Sequence, residues 1–115
     1  MADDKLWFVA LTATAVADYE EILDWTAEHF GEIQAFVYAE TIDRALADLR
    51  IGPSAIGIIR RDDVVAGLCS LHIARKRRKG RHLVLFRITS NEIRRIEVLR
   101  ILHDAMDIIR HVSGS

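Results

Sequence analysis

Two stretches near the C-terminal end, Leu83-Val84-Leu85-Phe86-Arg87-Ile88 and Ile96-Glu97-Val98-Leu99-Arg100-Ile101-Leu102, place apolar side chains on both faces of any strand they form. A sheet with one face in water alternates apolar and polar residues, so strands greasy on both faces belong to a sheet that is covered twice. Val84, Phe86 and Ile88 oppose Leu83 and Leu85, and Ile96, Val98 and Leu102 oppose Leu99 and Ile101. With Val64–Ile73 ahead of them and Ser90-Asn91 as a turn, these runs predict an antiparallel meander over 64–73, 82–89 and 92–102. Helices must cover one face; the C-terminal tail or a partner must cover the other.

The helices come earlier in the chain. Leu6-Trp7-Phe8-Val9-Ala10-Leu11 predicts a first strand, and Thr12 or Thr14 can cap the helix behind it. Val16, Tyr19, Leu23, Thr26 and Phe30 recur at helical spacing, with Asp18, Glu21, Asp24 and Glu28 elsewhere on the wheel. Gly31 ends that helix. A second, from about 32 to 50, stops at Gly52-Pro53 and carries the stripe Tyr38, Ala39, Ile42, Ala45, Leu46 and Leu49. So short a connection predicts an antiparallel αα-hairpin. Ile33, Phe36 and Val37 point away from the second stripe, and Trp25 lies off the first. Their simplest account is mutual packing within the hairpin. Residues 51–63 read as an irregular loop. The expected architecture is one α+β domain over 1–115, an αα-hairpin packed on an antiparallel sheet.

Charge is divided along the chain. Residues 1–57 hold 3 Lys/Arg and 11 Asp/Glu, net −8; residues 58–115 hold 13 and 6, net +7, which together give the overall −1. Six of the seven residues Arg75-Lys76-Arg77-Arg78-Lys79-Gly80-Arg81 are basic, at the tip between two strands. Like charges so close repel, so this tip is expected to meet something anionic. Half the residues are hydrophobic and one is proline, which argues against a disordered chain. The one cysteine, Cys69, allows no internal disulfide and suits a reducing compartment. The acidic start Ala2-Asp3-Asp4-Lys5 is followed by no long apolar run, and nothing approaches the roughly 20 apolar residues of a membrane span. A cytoplasmic protein is expected.

Motifs of known chemistry are few. The five histidines, His29, His72, His82, His103 and His111, show no metal-ligand spacing with Cys69 or a carboxylate pair. There is no glycine-rich phosphate loop, nucleophile elbow or paired-carboxylate signature. No metal or cofactor is expected, and Cys69 reads as a packing residue.

Two segments carry a resemblance. Ile22-Leu23-Asp24-Trp25-Thr26-Ala27-Glu28-His29-Phe30-Gly31, followed by Gln34-Ala35, looks like the helix-hairpin corner of the ParE branch of the ParE/RelE toxin superfamily. Arg100-Ile101-Leu102-His103-Asp104-Ala105-Met106-Asp107-Ile108-Ile109-Arg110-His111 is similar to that family's closing signature, and Gly67-Leu68 and Arg81–Arg87 fit as well. Asp104 and Ile109 stand where the family often has glycine and proline, and Cys69 where an arginine commonly follows Gly-Leu.

The resemblance implies a β-α-α-β-β-β fold with a possible closing helix, and the toxin of a type II toxin–antitoxin pair. Such a toxin inhibits DNA gyrase without catalysing a reaction and is neutralised by a ParD-like antitoxin. Target contact is expected from Arg75, Lys76, Arg77, Arg78, Lys79 and Arg81, with Arg100, His103, Met106 and Arg110 on the tail. Antitoxin contact is expected from Trp25, Ile33, Phe36, Val37, Leu83, Leu85, Leu99 and Ile101. The enzymatic alternative is a RelE-like, ribosome-dependent mRNA endonuclease with Arg81, Arg87 and His103 arranged around the phosphate. Its plainer counterpart pairs Arg87 and Arg100 with Glu92 or Glu97 across the sheet. A third class, a nucleic-acid-binding module, would contact nucleic acid directly through the tip, but no aromatic stands there to stack on bases.

Overall fold

The computed structural model describes residues 6–106 and 108. Strand β1, Phe8–Leu11, leads into helix α1, Ala13–Phe30, and helix α2, Glu32–Asp48, ends in a 3-10 turn over Leu49–Ile51. Four strands follow: β2 Ile59–Arg60, β3 Leu68–His72, β4 His82–Ser90 and β5 Arg95–His103. The sheet order is β1-β5-β4-β3-β2; β1 runs parallel to β5, and every other pairing is antiparallel. This is the expected hairpin on a meander, with β2 added at one edge.

Local chemistry sets the helix ends. The Thr12 side chain accepts the Ala15 N–H at 3.1 Å, and its hydroxyl donates to the Leu99 carbonyl at 3.0 Å, so the cap also ties α1 to β5. Gly31 joins the helices at φ 94°, a conformation that costs a residue with a Cβ. Asp18 fixes the helix layer on the sheet. It accepts Arg100 Nε at 2.8 Å, Nη2 at 3.1 Å and the Ile101 N–H at 2.9 Å. Arg100 therefore pairs with the helix rather than with Glu92 or Glu97, whereas Arg87 does meet Glu97, at 3.0 Å.

Both sheet faces are covered, by different means. Between the helices and the sheet, Ala15, Ile42, Ala45 and Leu49 pack on Cys69, Leu71, Ile73, Val84, Phe86, Ile96, Val98 and Ile101. Each large side chain there contributes roughly 1.5–3 kcal/mol of transfer free energy. The far face gathers Leu68, Leu83, Leu85 and Leu102 beneath Val64, Leu99 and Ile108. Val64 lies in a turn over residues 61–67 closed by the Gly67 N–H on Asp62 at 2.9 Å, so the third strand starts at Leu68 and not at Val64.

Two periodicities shift. On α1 the buried side is Ala15, Tyr19, Ile22 and Thr26, while Val16 and Phe30 are exposed. On β5 the register steps from Phe86↔Val98 to Leu85↔Arg100, leaving Leu99 as a bulge. Beyond it the alternation inverts, so Ile101 faces the helices and Leu102 the far side.

Candidate functional site: a groove between hairpin corner and basic tip

His82 and His103 face each other in register at one end of the sheet, and the Tyr38 hydroxyl reaches His82 there. Between Ile22 and Tyr38 the hairpin buries only Thr26, because its corner overhangs the end of the sheet. The space beneath is an open groove of roughly 1560 Å³. Trp25, Phe30 and Val37 form its apolar wall, and Arg77 to Arg81 with His103 and Met106 line the opposite side. Trp25 stacks on His29 at 4.1 Å and meets the Phe30 edge at 5.8 Å, which holds these exposed rings in place.

The basic tip is mostly neutralised from within. Arg75 Nε and Lys76 Nζ both donate to Asp48, at 3.0 and 3.2 Å. Arg75 and Asp48 are each only 16 % exposed, and Arg75 also donates to the Ile56 carbonyl. Arg78 sits 3.5 Å from Glu40 and 3.3 Å from the Thr41 hydroxyl, and Arg81 pairs with Asp104 at 3.3 Å. The two oppositely charged halves of the chain thus meet across the fold. Among the described residues only Arg77 and Lys79 of the tip lack a carboxylate partner. Lys76 and Arg77 sit at φ 50° and 70°, left-handed conformations that disfavour side chains, in a turn closed by the Arg78 N–H on the Arg75 carbonyl.

The groove floor is a polar network. The Tyr38 hydroxyl accepts the Arg81 N–H at 3.0 Å and donates to His82 Nδ1 at 2.6 Å. Burial, then the neighbouring His103, lower the His82 pKa to about 4, so the ring stays neutral and able to accept. Burial also raises the Tyr38 hydroxyl. His72 Nδ1 accepts the Ala74 N–H, leaving Nε2–H to donate to Asp104 at 2.9 Å. That bond, followed by Arg81, lowers the Asp104 pKa to about 2. His103 Nδ1 accepts the Ala105 N–H at 3.1 Å, making it a hydrogen-bonded strand-end histidine.

The sequence-derived candidates divide. Arg77, Arg78, Lys79, Arg81, His103 and Met106 line the groove. Arg75 and Lys76 turn to Asp48, Arg100 to Asp18, and Arg110 lies outside the described residues. Trp25 and Val37 share the groove, whereas Ile33 and Phe36 point elsewhere, 81 % and 83 % exposed. Mutual packing does not hide these four residues, which remain exposed at the hairpin corner. Leu83, Leu85 and Ile101 are buried, and Leu99 packs partly buried on the far-face cluster, so they offer no open sheet surface. Arg81, Arg87 and His103 do not converge. Arg87, on β4, is six residues on from Arg81, which precedes that strand, about 20 Å at strand rise, and is held by Glu97. Nothing in the sequence pattern marks Tyr38, Phe30 or Asp48 as site residues. Tyr38 and Phe30 read as core stripe, and Asp48 as one acid among 11.

The sequence matches, over residues 9–108, the family model described as ParE toxin of type II toxin–antitoxin system, parDE. It is 34% identical over 106 residues to Toxin ParE1 of two Mycobacterium tuberculosis strains, CDC 1551 / Oshkosh and H37Rv, covering 89% of this chain and 94% of that protein. In structure it resembles a chain of the chromosomal ParDE TA system from P. aeruginosa, with TM-score 0.65 and 22% identity over 86% of this chain and 97% of that one. It also resembles a chain of the RelBE2 toxin–antitoxin complex from Mycobacterium tuberculosis, with TM-score 0.54 and 24% identity over 85% and 98%.

Proposed function

Because the chain belongs to the ParE family of type II toxin–antitoxin toxins, we propose that it arrests growth by inhibiting DNA gyrase and that a ParD-like antitoxin neutralises it. The observation that carries this reading is one groove combining exposed apolar side chains, Trp25, Phe30, Val37 and Met106, with the cations Arg77 and Lys79, which have no carboxylate partner among the described residues. An amphipathic antitoxin segment fills such a groove with its apolar face, and its carboxylates meet the cations. The same cations suit an acidic gyrase surface or gyrase-bound DNA. The chain acts as an inhibitor rather than a catalyst in this reading, since Arg87 stands apart from Arg81 and His103.

The competing reading, ribosome-dependent mRNA cleavage, has one observation in its favour: Arg81, His82 and His103 meet in the groove. A direct comparison separates the two. The purified chain, freed of its partner, is added to gyrase-driven supercoiling and to translating ribosomes. Accumulation of cleaved DNA with gyrase supports the proposal; codon-positioned mRNA cuts with unaffected supercoiling overturn it.

A further inference from the structure

The outer face of the hairpin, outside the groove, has its own character. From Ala13 to Asp48 the chain holds nine carboxylates; Asp18 and Asp48 turn inward to Arg100 and to Arg75 and Lys76, and the other seven are exposed beside one Lys or Arg, Arg44. At about 100° per residue, Ile33, Phe36, Glu40 and Asp43 fall on the side of α2 opposite the buried Ile42, Ala45 and Leu49. Ile33 and Phe36 are 81 % and 83 % exposed, and neither lines the groove. The exposed α1 acids Glu20, Asp24 and Glu28 follow one another at four-residue spacing, a like-charge arrangement that weakens a helix by a few tenths of a kcal/mol per pair. Folding alone explains neither the bare Phe36 nor this row of repelling acids.

We propose that this face docks a second protein partner through a cationic amphipathic helix, with Ile33 and Phe36 as the apolar anchors and the surrounding carboxylates as the matching charges. Charge complementarity selects this occupant. Among the described residues the tip cations meet one carboxylate of this face, Glu40, which Arg78 reaches and Arg44 also approaches, at 3.8 Å, while Asp43 accepts the Tyr19 hydroxyl. A symmetric contact with a second copy would set acidic rim against acidic rim. An anionic membrane surface is repelled for the same reason. The proposal concerns a surface distinct from the groove and does not depend on gyrase being the target.

The test uses two probes, a fluorescent Leu/Lys amphipathic helical peptide and its Leu/Glu counterpart, titrated onto the full chain. The Leu/Lys helix is expected to bind and to weaken roughly tenfold or more in Ile33→Ser/Phe36→Ser. It is expected to bind Arg77→Ser/Lys79→Ser unchanged. Glu28→Lys/Glu32→Lys is expected to shift preference toward the Leu/Glu helix. Urea melts confirm that the variants remain folded, as substitutions at exposed positions should. No binding of the Leu/Lys helix, or an affinity unaffected by Ile33→Ser/Phe36→Ser, overturns the proposal. So does self-association of the wild type that disappears in that variant, since a second copy then occupies the face.

Discussion

Lowering the pH should weaken this fold through His82 in particular. Its Nδ1 accepts the Tyr38 hydroxyl at 2.6 Å, and that hydroxyl accepts the Arg81 N–H, so protonating the ring reverses a bond that ties α2 to the start of β4. Around it stand His103 and His72, which oppose a positive charge, and Asp104 and Asp18, which favour one; burial is the largest influence. The folded pKa of about 4 lies below the ordinary 6.5. The unfolded chain therefore takes up the proton first, and stability falls as pH drops from about 6.5 and levels off below about 4. At about 1.4 kcal/mol per pH unit the full effect is about 3.4 kcal/mol. His82 is only partly buried, and screening by water reduces this to about 1–2 kcal/mol. Urea melts at pH 7.5, 5.5 and 4.5 measure it. His82→Gln, whose amide oxygen can still accept from Tyr38, should lose about 1–2 kcal/mol less than the wild type across that range. Parallel losses in the two proteins would refute the reasoning.

Other consequences follow from single contacts. Asp18→Asn removes the bidentate partner of Arg100 and should cost about 2–3 kcal/mol in urea unfolding, with much of it recovered in a cycle with Arg100→Met. Replacing Arg75 and Lys76 by serine removes the two cations that hold the largely buried Asp48 and should lower stability by about 1–3 kcal/mol; Arg77→Ser/Lys79→Ser should leave the melt unchanged and abolish growth arrest. Gly52→Ala should be severe, at least about 2 kcal/mol, because a Cβ would strike the Trp7 ring and φ is 106°. Thermal melts check it directly.

Much of the fold was legible from the chain because local rules were undisturbed. Thr12 and Gly31 bound α1, and the stripe from Tyr38 to Leu49 does face the core. Legibility failed where the period changed. Leu99 is an extra residue on β5, and a reading that alternates without interruption places Ile101 and Leu102 on the wrong faces. It failed again at Phe30, which lies on the sequence stripe but past the end of the sheet that would bury it.

The groove shows the same division. Its cations were visible as a run in the sequence, yet which of them a partner can use was not. Asp48, Glu40 and Asp104 lie 27, 38 and 23 positions from the arginines they hold.

By itself the sequence determined both helices, four of the five strands and their order, a sheet greasy on both faces and a chain with opposed charge in its halves; β2 fell in a stretch that reads as loop. Periodicity, capping and composition are local properties, and a single chain displays them. The tertiary structure alone decided that Val64 and Ile108 close the far face, that four of six tip cations are neutralised, and that the hairpin corner overhangs to form a groove. Those outcomes depend on distances between residues far apart in the chain. Such distances come into being only when the helices and the sheet pack together.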